Sequence, residues 1–214
     1  MIAALEPRLL IVEGGAHEAI VAARAAFART EAERKAATRP TAGCLDAALA
    51  YARRGWPVLP LHFAVRGACS CGEHDCGSPC KHPLWQLVPH GFKDATTDLE
   101  TIRRWWSQFP QANVGIRTGA VSRIVVLDVD PDKGGEESLA RLLAQNGPLP
   151  VTREAATGGG GRHIYLCHPG EGQYVPCSTG NSPRGLGPGL DVRGDGGFAV
   201  APPSRSLKGD YGWR

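Results

Sequence analysis

The segment RIVVLDVDPDKGG, residues 123–135, constrains the fold of this chain more than any other segment. Its four consecutive apolar residues, 124–127, are typical of a strand buried within a sheet, and this strand ends in Asp128 and Asp130. Successive side chains of a strand point to opposite faces, so both carboxylates emerge on one face, roughly 7 Å apart at Cα. Two anions so close favour a bound cation between them or a proton on one of them. The alternative is that Asp130 opens a turn, which the following Pro-Asp pair would favour.

The segments after this strand predict an α+β fold. A helix is expected at 135–146, where the acidic residues of the first turn suit the helix dipole. The segments VTREAAT and RHIYLC follow as strands, which completes a βαββ unit. Two short strands are expected around GLDVRG and GFAVAPPS, with a hairpin turn at 194–197 that contains Asp195. This order of strands and helices is typical of an α+β sheet.

The segments before this strand predict two helices and two strands. The first helix is expected from Cys44 to Arg54 and leads into the strand WPVLPLH. The second begins after Asp98, which is a good N-cap, and Pro110 stops it. The segment NVGIRTG then reads as a strand and a turn.

The first forty residues differ in composition from the rest. Residues 14–38 are rich in Ala with interspersed Glu and Arg, so they predict a helix, and Pro40 breaks it. We therefore expect residues 1–43 to form a helical N-terminal extension and residues 44–214 to form the main domain.

Composition and charge exclude several classes of protein. Of the 214 residues, 42% are hydrophobic and 21% are charged, which is ordinary for a globular protein. No apolar run approaches the ~20 residues that a membrane-spanning helix needs, and no signal-like stretch develops near the N-terminus, so we expect a cytoplasmic protein. The net charge is only +3, so a basic surface for nucleic acid must be local.

The segment CSCGEHDCGSPCKHP, residues 69–83, predicts a metal site. It holds four of the seven cysteines, and clustered cysteines in a chain without a secretion signal favour metal binding over disulfides. Thiolate and imidazole ligands together suit a tetrahedral zinc ion. A zinc with four protein ligands would be structural, stabilising an insertion at about 67–83. Six candidates compete for four positions; the favoured set is Cys69, Cys71, Cys76 and His82, with Cys80 as the main substitute.

The segment TGGGGRHIYL, residues 157–166, places four glycines before a strand that carries His163. Glycine lets main-chain N–H groups approach phosphate oxygens closely. The segment is not a Walker A loop, because Gly-Lys-Ser/Thr is missing and a strand follows. The alternative is a flexible hairpin with a core histidine. A functional site is favoured because His163 begins a strand that is predicted to lie beside the acidic one.

A third carboxylate, Asp191, lies inside the apolar alternation of GLDVRG. A carboxylate within a strand is disfavoured, so it needs a partner. Three strand carboxylates, an imidazole and a glycine loop are what two-metal phosphoryl transfer requires. The sequence therefore predicts that Asp191 folds in beside Asp128 and Asp130.

The order Asp128 and Asp130, then His163, then Asp191 resembles the three motifs of the archaeo-eukaryotic primase superfamily. The likeness is closest to the primase–polymerase domain of plasmid and phage replication proteins and spans about residues 44–214. It implies an RRM-like catalytic sheet joined to a smaller N-terminal α/β module, with the active site in the cleft between them. The segments that carry it include KHP, GFKDATTD, RRWW, NVGIRTG, VVLDVDP, GGGRHIYL and LGPGLDVRGDGGFAVAPPS.

The resemblance implies roles for individual residues. Asp128, Asp130 and Asp191 would hold catalytic Mg²⁺ or Mn²⁺, and His163 would contact the incoming triphosphate. This chain departs from the family pattern at Gly161, where a small hydroxyl residue is frequent, and at Cys80, where glycine is expected. Further candidates for nucleotide or template contacts are Arg117, Gly160, Gly161, Arg162, Arg193 and Lys93.

The resemblance also implies an activity and partners. The activity is template-directed synthesis of primers or DNA from nucleoside triphosphates on single-stranded DNA, in phage or plasmid replication. A helicase domain is expected on the C-terminal side. Trp105 and Trp106 are candidates for stacking on bases, but adjacent helical residues cannot share one face, so at least one is expected in the core.

Two other classes of function fit the same residues. A zinc-containing single-stranded DNA-binding module would bind without catalysis and without regard to Mg²⁺. A metal-dependent nuclease would use the same ions, but it explains the glycine-rich loop less well.

Overall fold

The computed structural model describes residues 43–214, and the predicted helix at 14–38 lies outside the described residues. Short 3₁₀ helices occur at Gly91–Asp94 and Pro131–Lys133. The helices are α1 (Cys44–Ala52), α2 (Leu99–Gln108) and α3 (Gly135–Asn146). The strands are β1 (Val58–Leu61), β2 (Ala64–Val65), β3 (Ala68–Cys69), β4 (Asn113–Arg117), β5 (Ile124–Val129), β6 (Arg153–Ala156), β7 (Arg162–Cys167), β8 (Leu190–Arg193), β9 (Phe198–Ala201), β10 (Arg205–Ser206), β11 (Gly209–Asp210) and β12 (Gly212–Trp213).

A five-stranded antiparallel sheet, the large sheet, is built around β5. Its strand order is β12-β6-β7-β5-β8, so the apolar strand has a neighbour on each side. One face of β5 presents Leu127 and Val129, which pack with Leu139 of α3 in a small core. The predicted βαββ unit is therefore present as β5-α3-β6-β7, with α3 over residues 135–146 as expected.

A second antiparallel sheet, the small sheet, has the order β1-β4-β9. Helices α1 and α2 pack against it, and α2 begins where Asp98 accepts a hydrogen bond from the Thr101 N–H at 2.7 Å. Its third strand comes from the C-terminal part of the chain. The predicted hairpin at 194–197 is wrong, because β8 pairs with β5 in the large sheet whereas β9 pairs with β4 in the small one.

The two sheets share one hydrophobic core. Ile124, Val126 and Tyr165 of the large sheet belong to the same buried cluster as the residues of α1, α2 and the small sheet. Trp105 and Trp106 are both buried in it, and the Trp106 indole donates to the Ala112 carbonyl, so neither is available to stack on a base.

The fold is mixed α/β with antiparallel sheets, in agreement with the predicted α+β class. Within the described part of the chain, we find no helix with the length and apolar character needed to cross a membrane.

Candidate active site

Three predicted site residues lie in one row across the large sheet. Asp128 of β5 is directly opposite His163 of β7 on one side and Asp191 of β8 on the other. Because residues opposite each other in adjacent strands point to the same face, the three side chains share a face. This face is the one that turns toward the shared core, since Val126 precedes Asp128 on it by two residues.

Contacts within this row offset part of its negative charge. The Arg193 guanidinium lies 2.9 Å from an Asp191 oxygen and 3.6 Å from an Asp128 oxygen, so it bridges the two carboxylates. His163 Nε2 lies 3.5 Å from the other Asp128 oxygen. Burial alone would raise the pKa of Asp128, but the His163 contact and the Arg193 charge outweigh it and lower that pKa. Asp128 is therefore held as a carboxylate.

Asp130 lies just beyond the end of β5 and opens a turn. Its side chain accepts from the Asp132 N–H and lies 2.8 Å from the Lys133 ammonium. The turn interpretation of this residue is therefore confirmed. It is compatible with the site interpretation, because Asp130 and Asp128 line the same cavity.

Close backbone packing fixes the position of this turn. The Asp130 N–H donates to the Gly189 carbonyl just before β8, and its carbonyl accepts from the Gly135 N–H at the start of α3. A Cβ on Gly135 would lie 2.6 Å from the Asp130 carbonyl oxygen, so only glycine fits there. Likewise, a Cβ on Gly161 would clash with the Val129 carbonyl. That contact gives a physical reason for glycine at 161.

The glycine run forms the turn between β6 and β7. The Thr157 N–H bonds the Gly161 carbonyl and the Gly160 N–H bonds the Thr157 carbonyl. Within residues 43–214, the N–H groups at 158 and 159 have no protein acceptor. The side chain of Lys208 lies over this turn, since its Cδ is 3.6 Å from the place of a Cβ on Gly159. The turn thus offers amide donors and an ammonium group together.

A cavity of about 840 Å³ opens in front of the row. Asp128, Asp130, His163 and Asp191 all line it. Of the predicted nucleotide contacts, Gly161 and Arg193 line it, whereas Gly160, Arg117, Arg162 and Lys93 are not among the described residues that do.

Arg162 and Arg117 make other contacts. Arg162 precedes His163 on β7, so it points to the opposite face, where it forms ion pairs with Glu136 and Glu154. The Arg117 guanidinium lies over the Phe92 ring, 5.5 Å from its centroid. The structure does not bring either arginine to the row.

The Cys/His segment forms a compact cluster. Its members are the favoured set, whose four ligand atoms lie within 4.8 Å of one another: Cys69, Cys71, Cys76 and His82. His82 Nε2 lies 3.6 Å from the Cys69 sulfur and 3.4 Å from the Cys76 sulfur. Tetrahedral zinc with these ligand types requires about 3.5 Å between ligand atoms, so the cluster fits zinc. No other Cys, His, Asp or Glu group in the described chain is gathered as closely.

The cluster stabilises a thiolate, and Cys80 lies behind it. Burial opposes ionisation of Cys69, but backbone N–H groups of Cys71 and Cys80 outweigh burial and lower the pKa of Cys69 to about 6. Burial and the neighbouring Cys69 charge raise the pKa of Cys80 to about 12. Cys80 is fully buried and donates its backbone N–H to the Cys69 sulfur at 3.2 Å. It therefore lies behind Cys69 and is not one of the four gathered side chains.

Several cavity residues were missed by sequence reasoning, among them Lys81, Lys133, Lys208 and Tyr211. The Tyr211 ring lies 5.8 Å from the His163 ring, and burial together with the Asp128 charge raises the pKa of Tyr211 to about 12. A single lysine or tyrosine in a turn carries no periodic signal. Only the position of Lys81 beside the ligand His82 could have indicated it.

The comparison with protein families identifies the class. The model of the Prim-Pol family, described as bifunctional DNA primase/polymerase, N-terminal, matches residues 48–214, and this chain belongs to that family. None of the curated proteins compared with the chain matches it. Family membership implies primase/polymerase activity in DNA replication, with DNA and nucleotides as substrates and divalent metal ions as usual cofactors.

Proposed function

We propose that residues 44–214 form a primase–polymerase catalytic domain that extends primers by two-metal nucleotidyl transfer on single-stranded DNA. The single observation that carries this proposal is the row of Asp128, His163 and Asp191 at the wall of the cavity. In this proposal the large sheet is an RRM-like sheet that carries the catalytic residues. It also includes residues 1–43 as an extension outside this domain.

The donor set suits Mg²⁺ or Mn²⁺. Carboxylate oxygens are the ligands these ions prefer, and Asp128 and Asp191 already share one cation, the Arg193 guanidinium. Asp130 has its own cation in Lys133. In the proposal, these three carboxylates hold the ions. Bound there, the ions would lower the pKa of the primer 3′-hydroxyl and stabilise the leaving pyrophosphate.

Arg193 and Lys133 then exchange partners when substrate binds. In the present arrangement these two cations pair with the three carboxylates, and both line the cavity. With metal ions on the carboxylates, the two side chains are free to turn toward phosphate oxygens, for which arginine and lysine are common ligands. They would thus offset negative charge in both states.

The incoming triphosphate is proposed to bind beside His163. The glycine turn directly precedes β7, so it lies at the same end of this strand as His163, and Gly159, Gly161 and Lys208 line the cavity there. The amide groups of such a turn, with a nearby cation, make a favourable phosphate site. His163 is nearly buried and its Nδ1 has no partner within residues 43–214, whereas its Nε2 faces Asp128. The histidine is therefore held at the boundary between the carboxylates and the phosphate groups.

The Cys/His cluster is proposed to hold a structural zinc ion. Four protein ligands leave no open position for chemistry, so zinc would stabilise the segment that carries Lys81 and His82 to the cavity wall. The resemblance extends the proposal to phage or plasmid replication in the cytoplasm, with a helicase domain as a partner.

The test is Asp128→Asn in a primer-synthesis assay with a single-stranded template, each nucleotide class and either Mg²⁺ or Mn²⁺. We expect incorporation to fall by about 10³-fold or more, because a preorganised charge at the reacting centre is lost. Glu100→Gln, an exposed carboxylate on α2, is the matched control and is expected to be fully active. Full activity of Asp128→Asn would eliminate the proposal.

A second candidate function is favoured by the ion pairs of Asp128, Asp130 and Asp191, since each of these carboxylates contacts a protein cation. A single-stranded DNA-binding module would have no need of free carboxylates. In that case wild-type protein would bind DNA equally well after chelation of Mg²⁺ and would incorporate no nucleotide. Degraded template would instead indicate a nuclease.

A further inference from the structure

Trp85 differs from every other tryptophan of the chain in its surroundings. Trp56, Trp105, Trp106 and Trp213 all pack in the shared core, whereas Trp85 is 65% exposed. A single exposed apolar residue needs no explanation by itself. Three further features nevertheless suggest that Trp85 binds a ligand: its position, its fixed backbone and the charge around it.

The backbone at Trp85 is fixed. Pro83 pairs with Leu61 at the edge of β1, and the Leu84 N–H donates to the Pro60 carbonyl at 3.0 Å. Leu84 and Val88, on either side of Trp85, are each only 1% exposed. An aromatic ring on such a support loses little conformational entropy when a ligand stacks on it.

The segment around Trp85 is continuous with the cavity. Lys81 and Pro83 line the cavity on one side of Trp85, and Phe92 lines it on the other. Gly91 lies against Pro83, since a Cβ there would be 3.7 Å from the proline ring. The chain therefore leaves the cavity wall after Pro83 and returns to it at Phe92, and Trp85 lies between these two points; we call residues 81–93 the Trp85 strip.

The charge of the Trp85 strip is complementary to a polyanion. Its sequence, KHPLWQLVPHGFK, has a lysine at each end and no acidic residue; the nearest carboxylate in sequence is that of Asp94, which accepts from the His90 N–H. Neither Lys81 nor Lys93 forms an ion pair with any residue in the range 43–214. The acidic row lies elsewhere on the cavity wall, so phosphate groups are attracted to the strip and repelled from the carboxylates.

We propose that the Trp85 strip binds the single-stranded DNA that enters the cavity. Trp85 stacks on a base, and Lys81 and Lys93 contact phosphates on either side of it. Aromatic side chains with nearby cations are the usual elements of single-strand binding, and every base offers a face for stacking. The choice of DNA as the ligand rests on the proposed function.

The experiment measures binding of a fluorescein-labelled single-stranded oligodeoxynucleotide to the full, zinc-loaded chain by anisotropy. Trp85→Ala is expected to bind about 5- to 150-fold more weakly, the range that stacking on one base contributes. Trp85→Phe keeps an aromatic face and should bind within about threefold of wild type. Tyr174→Ala removes an aromatic residue that is 73% exposed outside the strip and should leave affinity unchanged.

Two further readouts separate contact with DNA from general damage. Lys81→Ala and Lys93→Ala should each lower the slope of log affinity against log salt by about one phosphate contact. DNA should also quench the fluorescence of the exposed tryptophan in wild type but not in Trp85→Phe. The melting temperature of Trp85→Ala should stay within about 2 °C of wild type, because the side chain is exposed.

Equal affinity of Trp85→Ala and wild type would overturn the inference and leave Trp85 as a contact for another protein. Failure of the proposed function gives a different result. If wild type incorporates no nucleotide while Trp85→Ala still loses DNA affinity, the DNA surface stands and the catalytic proposal falls. If wild type is active and Trp85→Ala binds DNA normally, only the proposal of a DNA-binding surface at Trp85 is wrong.

Discussion

The acidic row and the Cys/His cluster are two proposed ligand sets that are built in opposite ways. The cluster takes its four members from residues 69–82, a short loop with little sheet structure. The row takes its members from three strands, and Asp128 and Asp191 are far apart in sequence but directly opposite in the sheet. The first is therefore a local property of the sequence, and the second is a property of the strand register.

This difference predicts different roles for the proposed metal ions. The cluster gathers four possible ligand atoms closely and has no protein cation among them, so we expect its loop to depend on the proposed zinc ion. Arg193 already bridges the two carboxylates of the row, and the strands of the row are held by backbone pairing and a core of their own. Removing zinc should therefore damage the fold locally, whereas removing a carboxylate should damage activity alone.

The largest expected effect is that of Cys69→Ser on zinc binding and stability. Cys69 is the buried member of the cluster, and loss of a structural metal belongs to the mutations that cost about 4 kcal/mol or more. Zinc content should fall to zero and the urea midpoint should drop. Cys167→Ser, an exposed cysteine outside the cluster, is the control and should change neither. A variant of Cys69 that keeps both zinc and stability would refute the structural role.

The second largest expected effect is that of Asp191→Asn, which should lower nucleotide incorporation without changing stability appreciably. The Asn side chain can still accept the Gly180 N–H, and Arg193 keeps Asp128 as a partner, so we expect stability to change by less than about 1 kcal/mol. Nucleotide incorporation should decrease by about 10²- to 10³-fold. The control is Asp210→Asn, which removes an exposed carboxylate paired with Arg205. If Asp191→Asn lost stability but kept its activity, Asp191 would have a structural role and not a catalytic one.

The same contrast explains what could be predicted from sequence. Local signals predicted β5, α3, the Asp98 cap and the gathering of the four Cys/His side chains, because each depends on residues close together in sequence. The partner of β9 could not be predicted, since its apolar residues fit the edge of either sheet equally well. Lys208 was missed for a related reason: it reaches the glycine turn only because a distant hairpin packs against Gly159.

Asn113 connects the cluster to the sheets, and its replacement should have an intermediate effect. Its amide nitrogen lies within hydrogen-bond distance of the carbonyls of His62, Cys80 and Arg205. Asn113→Ala leaves these buried groups without a donor, which should cost about 2–3 kcal/mol in the free energy of unfolding.

Urea unfolding of Asn113→Ala with zinc bound measures that cost. Asn146→Ala removes an exposed amide that bonds the Leu142 carbonyl at the end of α3, and it should cost less than about 0.5 kcal/mol. If both variants lose the same small amount, Asn113 does not couple the cluster to the sheets. If only Asn113→Ala also loses zinc affinity, the coupling extends to the metal.

The smallest expected effect is a loss of stability at low pH. It tests whether the negative charge of Asp195, which lies beyond the row, stabilises the fold. Asp195 follows β8 and, against the opposing effect of burial, N–H donors from Ala120 and Val175 and the His168 imidazole lower its pKa. A carboxylate whose pKa is lower in the folded state adds stability above its unfolded value of about 3.9, and this stability is lost as the pH falls through the folded value. Wild type should therefore lose more stability than Asp195→Asn between pH 6 and about pH 3. Parallel pH profiles for the two proteins would show that these hydrogen bonds are made equally well by a neutral group.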